Sequence, residues 1–243
     1  MATPLLLPYI DTFFVNRIRE LEKVREFLHN IIDKSSLRSH ILLLAGERGS
    51  GKTWFSLHLH RTYLQEEFSK QWEAGKLASF LVCLSPSGQE SVADNEIFIP
   101  ELLQSSQSSS IDQIVNDILR KLSNYINALN PDKASLYDRT SWIVHALHQK
   151  RREEESFVLL VDSIFEANPA LVKKLELHLL SPLTELPNAA IILTGRGSVP
   201  VWETPELRVK TEEIIWLTKF EINVVTEQLT KLSKTLSIED SKK

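Results

Sequence analysis

The chain is short of glycine and almost free of cysteine: its 243 residues include seven glycines, and Cys83 is the sole cysteine. A single cysteine excludes an intrachain disulfide and any cysteine cluster for zinc. Cys83 also lies in an apolar run that reads as a strand, which suits a reducing compartment and a cytoplasmic protein. No apolar run reaches the ~18 residues of a membrane-spanning helix, and the opening MATPLLLPYIDTFF has two prolines and no basic leader. Neither export nor membrane contact is expected. A large excess of one sign of charge is missing too: a net charge of −4 and a pI near 6.0 give no bulk reason to expect nucleic acid as a partner. No period of 20 to 50 residues repeats, so a solenoid is not expected within this segment. What is abundant is apolar residue, 42% of the chain, enough to fill one large α/β domain or two small ones.

The few glycines are concentrated. Gly46, Gly49 and Gly51 stand together in LLLAGERGSGKTWF, residues 42–55, behind the buried strand HILLLAG. Ahead of it, Leu21, Val24, Leu28, Ile31 and Ile32 recur at helical spacing and predict an amphipathic helix from Ile18. ASFLVCLS reads as a second buried strand. The segment from Pro86 to Ser110, with its QSSQSSS, is too serine-rich to pack and is expected to be a mobile surface loop. Ser110 and Gln113 fit a capping box opening a helix striped by Ile111, Ile114, Val115, Ile118, Leu119, Leu122, Tyr125 and Ile126. Another helix, around Trp142 to His148, ends in KRREEE, a solvated end of mixed charge. SFVLLVDS, AAIILTG and EIIWLTK give three more strands, and Asn168 with Pro169 caps and opens a helix between the first two of these. Strands alternating with helices, and continuously apolar, predict a doubly wound parallel α/β sheet with helices on both faces and the site at the strands' carboxyl ends.

At that edge the chemistry-bearing residues gather. Gly46, Glu47, Arg48, Gly49, Ser50, Gly51, Lys52 and Thr53, followed by Trp54, match the phosphate-binding loop pattern in its required place between a strand and a helix. Small residues let successive N–H groups turn inward around a β-phosphate, and the helix that follows adds its positive end. Lys52 is expected to reach the β- and γ-phosphates and Thr53 to ligate Mg²⁺. Asp162 ends a buried apolar strand, where an unpaired carboxylate is costly unless an ion lies nearby, so it is the expected second magnesium contact. Many ATPases of this type carry a glutamate directly after that aspartate; Ser163 stands there instead. Glu166 is the nearest substitute for orienting an attacking water, or else a residue that caps the helix near Pro169. Thr194 and Arg196 end the fourth long strand at the same edge, with Arg196 suited to sense a γ-phosphate.

The set FVNRIRELEKVREFL, GERGSGKT, FVLLVDSIFE, ILTGR and LTKFEINVVTEQL resembles STAND-type P-loop ATPases, the NACHT and NB-ARC relatives of AAA+ proteins, across most of the chain. The resemblance implies a five-stranded sheet in the order 5-1-4-3-2, with Arg196 facing the nucleotide. It implies that Phe14, Val15 and Arg17 help enclose the nucleotide base, although Asn16 replaces the usual glycine. Where NACHT sequences commonly place two acidic residues after the magnesium aspartate, this chain has Phe165 and Glu166, which speaks against vigorous hydrolysis. It implies three parts: an N-terminal segment and helix over 1–35, a P-loop NTPase core over 36–220, and the start of a helical lid or C-terminal helix over 221–243. The expected function is an ATP/ADP-binding conformational switch with slow Mg²⁺-dependent hydrolysis, partnered by self-association or by signalling domains outside this chain. The alternatives are an AAA+ motor or loader ATPase and a module that holds nucleotide without turnover. A GTPase is a weaker rival, because DSIF lacks the glycine of a DxxG switch and TKFE only approximates TKxD.

Overall fold

The computed structural model describes residues 14, 17–32, 39–84, 107–108, 110–122, 134–152, 155–199, 201–212, 214–222, 224–227 and 229–230. Several expectations lie outside the described residues: Val15 and Asn16, most of the serine-rich segment, Tyr125 and Ile126, the EE of KRREEE and the end of the C-terminal helix.

Six parallel strands form one sheet: β1 (Ile41–Gly46), β2 (Leu77–Leu84), β3 (Gln107–Ser108), β4 (Ser156–Asp162), β5 (Ala189–Gly195) and β6 (Ile215–Leu217). Their spatial order is β3-β2-β4-β5-β1-β6. The five expected strands therefore stand in the expected 5-1-4-3-2 order. The addition is β3, which pairs with the end of β2 through Cys83 to Gln107 and Leu84 to Ser108. Two residues of a polar, serine-rich run form this edge strand because pairing satisfies backbone groups whatever the side chains are. Here the expectation of an unpaired loop is corrected.

The strands alternate their side chains between two cores. Leu43, Leu159, Val161, Ile191 and Leu193 point to one face, where α5 (Ile111–Lys121), α6 (Leu136–Arg152) and α7 (Pro169–Leu175) cover them. Leu42, Leu44, Val158, Leu160 and Ile192 point to the other, under α1 (Ile18–Ile32) and α2 (Lys52–His58). Central strands buried on both sides run apolar through their length, as β1, β4 and β5 do apart from Ser156, Asp162 and Thr194 near the strand ends. The helix after β1 continues from α2 through a π-helical turn, Leu59–Tyr63, into α3 (Leu64–Glu67), and α4 (Ser69–Glu73) follows. The helix after β4 likewise runs from α7 through a π-helical turn, Glu176–Leu180, into α8 (Ser181–Thr184).

The capping expectations are met at two starts. Ser110 Oγ accepts from the Gln113 N–H at 3.3 Å, and Asn168 Oδ1 accepts from the Ala170 N–H at 2.9 Å. WETPELR, over 202–208, is a packed plug. Trp202 and Leu207 are buried, α9 (Pro205–Val209) follows, and buried Glu176 accepts from the Thr204 N–H at 2.5 Å.

Candidate functional site: a phosphate loop at the carboxyl edge of the sheet

The loop is shaped by two glycines in left-handed backbone, Gly49 at φ 81° and Gly51 at φ 83°, and by a third position with no room for a side chain. A Cβ on Gly46 would lie 2.6 Å from both the Leu217 carbonyl oxygen and Ser50 Oγ. Gly46 pairs with Leu217 in the sheet, so the loop starts pressed against β6. Lys52 turns back into the loop, donating to the carbonyls of Gly46 at 2.8 Å and Glu47 at 2.7 Å, and to Ser50 Oγ at 3.3 Å. Burial pushes its ammonium below the usual lysine range, while the charges of Glu166 and Asp162 pull it back up. Glu47, Arg48 and Gly49 are exposed; Trp54 packs on the core beneath α2.

Across the chain, Thr53 Oγ1 donates to Asp162 Oδ2 at 2.9 Å, joining the loop to the end of β4 over 109 residues. The Thr194 hydroxyl donates to Asp162 Oδ1, and Ser163 Oγ to Oδ2 at 3.3 Å. Asp162 is 3% exposed, and burial raises its carboxyl above the usual range against those three hydroxyl contacts. One buried carboxylate ringed by hydroxyls is a hard-oxygen donor set that fits Mg²⁺, which is typically held by one or two carboxylates with the substrate's phosphates and water. Among the described residues no group of three or more His, Cys, Asp or Glu side chains offers a fuller metal cage.

Ser163, where a glutamate was sought, adopts φ 64°, a left-handed conformation costing about 1–3 kcal/mol for a residue with a Cβ. It turns the chain into a 3₁₀ turn, Ile164–Glu166, that folds back onto the end of β5. Gly195 makes room: a Cβ there would meet Phe165 Cβ at 2.5 Å and Glu166 Oε2 at 2.7 Å. Glu166 Oε1 thereby accepts from Arg196 Nε at 2.7 Å, while Asn168 caps the following helix.

Arg17 is 4% exposed and ties three segments together. Its guanidinium donates to the Ser50 carbonyl at 2.6 Å, the Thr218 carbonyl at 2.7 Å and Glu20 Oε1 at 2.9 Å, and lies 4.2 Å from the centre of the Phe220 ring. Phe220 in turn sits 3.2 Å from where a Gly51 Cβ would be. Sequence reasoning gave Arg17 a place beside the base and missed this clamp. The signal available was LTKF, whose phenylalanine supplies the ring. Phe14 stacks on His58 of α2 with centroids 3.7 Å apart. Beside Arg17 a cavity of about 600 Å³ opens between Arg17, Arg19 and Glu20 on one side and Thr218, Phe220 and Val224 on the other.

No known protein family and no curated protein matches the sequence. Solved structures do match the fold. The chain is similar to the ORC1 protein of Aeropyrum pernix in complex with DNA, at 14% identity and a TM-score of 0.60 over 96% of this chain and 51% of that one. It is similar to the ORC2 protein of the same organism in ADPNP–ADP complexes, at 15% identity and a TM-score of 0.58 over 89% of this chain and 52% of that one. A Walker-type ATPase of Pyrococcus abyssi matches at 19% identity and a TM-score of 0.51 over 97% of this chain and 61% of that one. The chain thus spans about half to three fifths of the length of these structures. The expectation that nucleic acid is not indicated is corrected by the DNA-bound neighbour. Net charge averages over a whole surface, whereas contact with DNA depends on local groups. The fold is a parallel α/β, P-loop NTPase-like sheet with helices on both faces, similar to that of these structures.

Proposed function

We propose that this chain is a Mg²⁺-dependent adenine-nucleotide-binding ATPase domain of the AAA+ type, with slow hydrolysis that resets its conformation. The observation that carries the reading is the 2.9 Å hydrogen bond from Thr53 to buried Asp162, which puts a hydroxyl ligand of the phosphate loop against the carboxylate at the end of β4. Lys52 exchanges its carbonyl partners for phosphate oxygens, and the N–H groups of 47–53 cradle the β-phosphate. Thr53 and Asp162 would hold a magnesium ion, which would supply positive charge against the phosphates. Thr194 keeps Asp162 oriented, Arg196 reads the γ-phosphate and Glu166 orients water. Phe14, Val15 and Arg17, with the cavity beside Arg17, enclose the base. The segment over 1–35 completes the site around the core over 36–220, and residues from 221 begin a lid that responds to occupancy.

The Orc1/Cdc6-like neighbours favour the AAA+ loader or motor alternative over the signalling switch of NACHT and NB-ARC proteins. DNA is accordingly the macromolecular partner to test, by binding to duplex DNA in MgATP and the salt dependence of its affinity. For the nucleotide itself, melting curves decide. A ligand that binds only the folded loop stabilises it by ~2.7 kcal/mol at a hundredfold excess over its dissociation constant. ADP and ATP are expected to raise the melting temperature far more than GDP and GTP; guanine nucleotides outperforming adenine ones would restore the GTPase rival.

A further inference from the structure

The carboxylate of Glu166 stands where a phosphate-reading site should be most positive. It accepts from Arg196 Nε at 2.7 Å, with side chains 16% and 37% exposed. It is also the strongest favourable charge around Lys52, ahead of Asp162. Of the two cations suited to a terminal phosphate, Arg196 is therefore already bonded to this carboxylate, and Lys52 feels its charge through space. The backbone holds it there: left-handed Ser163 turns the chain back, and Gly195 has no Cβ to push Glu166 Oε2 away.

A diphosphate in the loop is read by Lys52 and the backbone, with no demand on Arg196. A third phosphate extends the anion toward Arg196 and brings new negative charge toward Glu166. Arg196 then trades one charge-assisted hydrogen bond for another, so the gain from the γ-phosphate is reduced by the loss of its old partner. We propose that Glu166 is a selectivity residue: it competes with the γ-phosphate for Arg196, so the resting site favours nucleoside diphosphate and accepts triphosphate only as Arg196 changes partner. The proposal rests on reading the loop as a nucleotide site, and it differs from a role in orienting water, which leaves the balance between the two nucleotides unchanged.

Titration calorimetry of the full chain with MgADP and with Mg²⁺ plus a non-hydrolysable ATP analogue tests it. Glu166→Gln keeps the shape and removes the charge, and should shift the ratio of the two affinities toward the triphosphate by about tenfold, the scale of one hydrogen bond to a charged group. Glu166→Ala is a second neutral variant and should shift the ratio in the same direction. In an Arg196→Ala background the shift from Glu166→Gln should fall below about threefold, because the contested partner is gone. An unchanged ratio, or one moved toward ADP, overturns the proposal. An undiminished shift without Arg196 overturns the exchange of partners. Failure of wild type to bind either nucleotide overturns the reading of the loop, and the selectivity role with it.

Discussion

Of the helices that leave the carboxyl edge of the sheet, those after β1 and β4 begin in opposite ways. The one after β4 closes itself: Asn168 Oδ1 accepts from the Ala170 N–H at 2.9 Å, and Pro169, in the first turn, has no N–H to satisfy. The one after β1 is preceded by left-handed Gly51 and has no side-chain cap. A helix start leaves about four N–H groups without partners inside the helix. Where a side chain caps the start, the donors serve stability; where glycine replaces the cap, no side chain accepts from them, and Lys52 is the cation beside them. Under the proposed function, the same fold closes one helix start on itself and keeps the other for a ligand.

The change that breaks this contrast most is Lys52→Ala. It removes the cation from a loop whose glycine turns remain, and is expected to abolish ADP and ATP binding by calorimetry with little effect on the melting temperature of the unliganded protein. Retained affinity would mean that the uncapped start is an ordinary turn. Gly46→Ala comes next. Its Cβ would lie 2.6 Å from the backbone carbonyl of Leu217, so β1 and β6 must part, at a cost of about 1–3 kcal/mol by denaturant titration. Nucleotide affinity should fall with it, because the loop is pressed against β6 at that point.

Asp162→Asn sharpens the contrast in the other direction. Burial raises the Asp162 carboxyl above its ordinary range, so the fold disfavours the ionised form. The linkage sign follows: the folded state binds the proton more tightly, and unliganded stability declines as pH rises from the ordinary carboxylate pKa through the raised one. Asparagine removes that dependence and is expected to add about 0.5–2 kcal/mol to unliganded stability at pH 7, as relief of a strained functional site does. It should also remove the Mg²⁺ enhancement of ATP binding while leaving metal-free ADP binding largely intact. A variant less stable than wild type at every pH would contradict this account of the buried charge.

Much of this was legible in the sequence because burial writes itself as local pattern. Strands buried on both faces carry a continuous apolar run, so ILLLAG, SFVLLVD and AAIILTG announce themselves. Caps and glycine turns are equally local, and the order of the five expected strands came from a resemblance. Pairings across the fold are not local. Nothing near Arg17 indicates that its guanidinium bridges Ser50 and Thr218, the latter 201 residues away. Nor does SIFE reveal that Ser163 turns left-handed and delivers Glu166 to Arg196, since that depends on the absence of a side chain at Gly195. Backbone pairing at β3 and the π-helical turns leave no side-chain periodicity to read.

The smallest expected effect belongs to the capped helix, and it is the control for the comparison. Asn168→Ala removes the acceptor for the Ala170 N–H from an exposed helix start, and loss of such a cap costs about 1 kcal/mol. Pro169 still fixes the first turn, so the helix should form with its start frayed rather than shifted. Asn168 lies two residues beyond Glu166, so fraying that spread backward would loosen the Glu166 and Arg196 pair and change the ratio of ADP to ATP affinity. The 3₁₀ turn has its own closure, an Ala167 N–H to Ile164 carbonyl bond of 3.3 Å, and Ile164 is fully buried. The loss is therefore expected to stop at Ala167, giving a lower melting temperature with both nucleotide affinities unchanged. A shift in either affinity would show that the two helix starts are coupled, and that the capped one also serves the site.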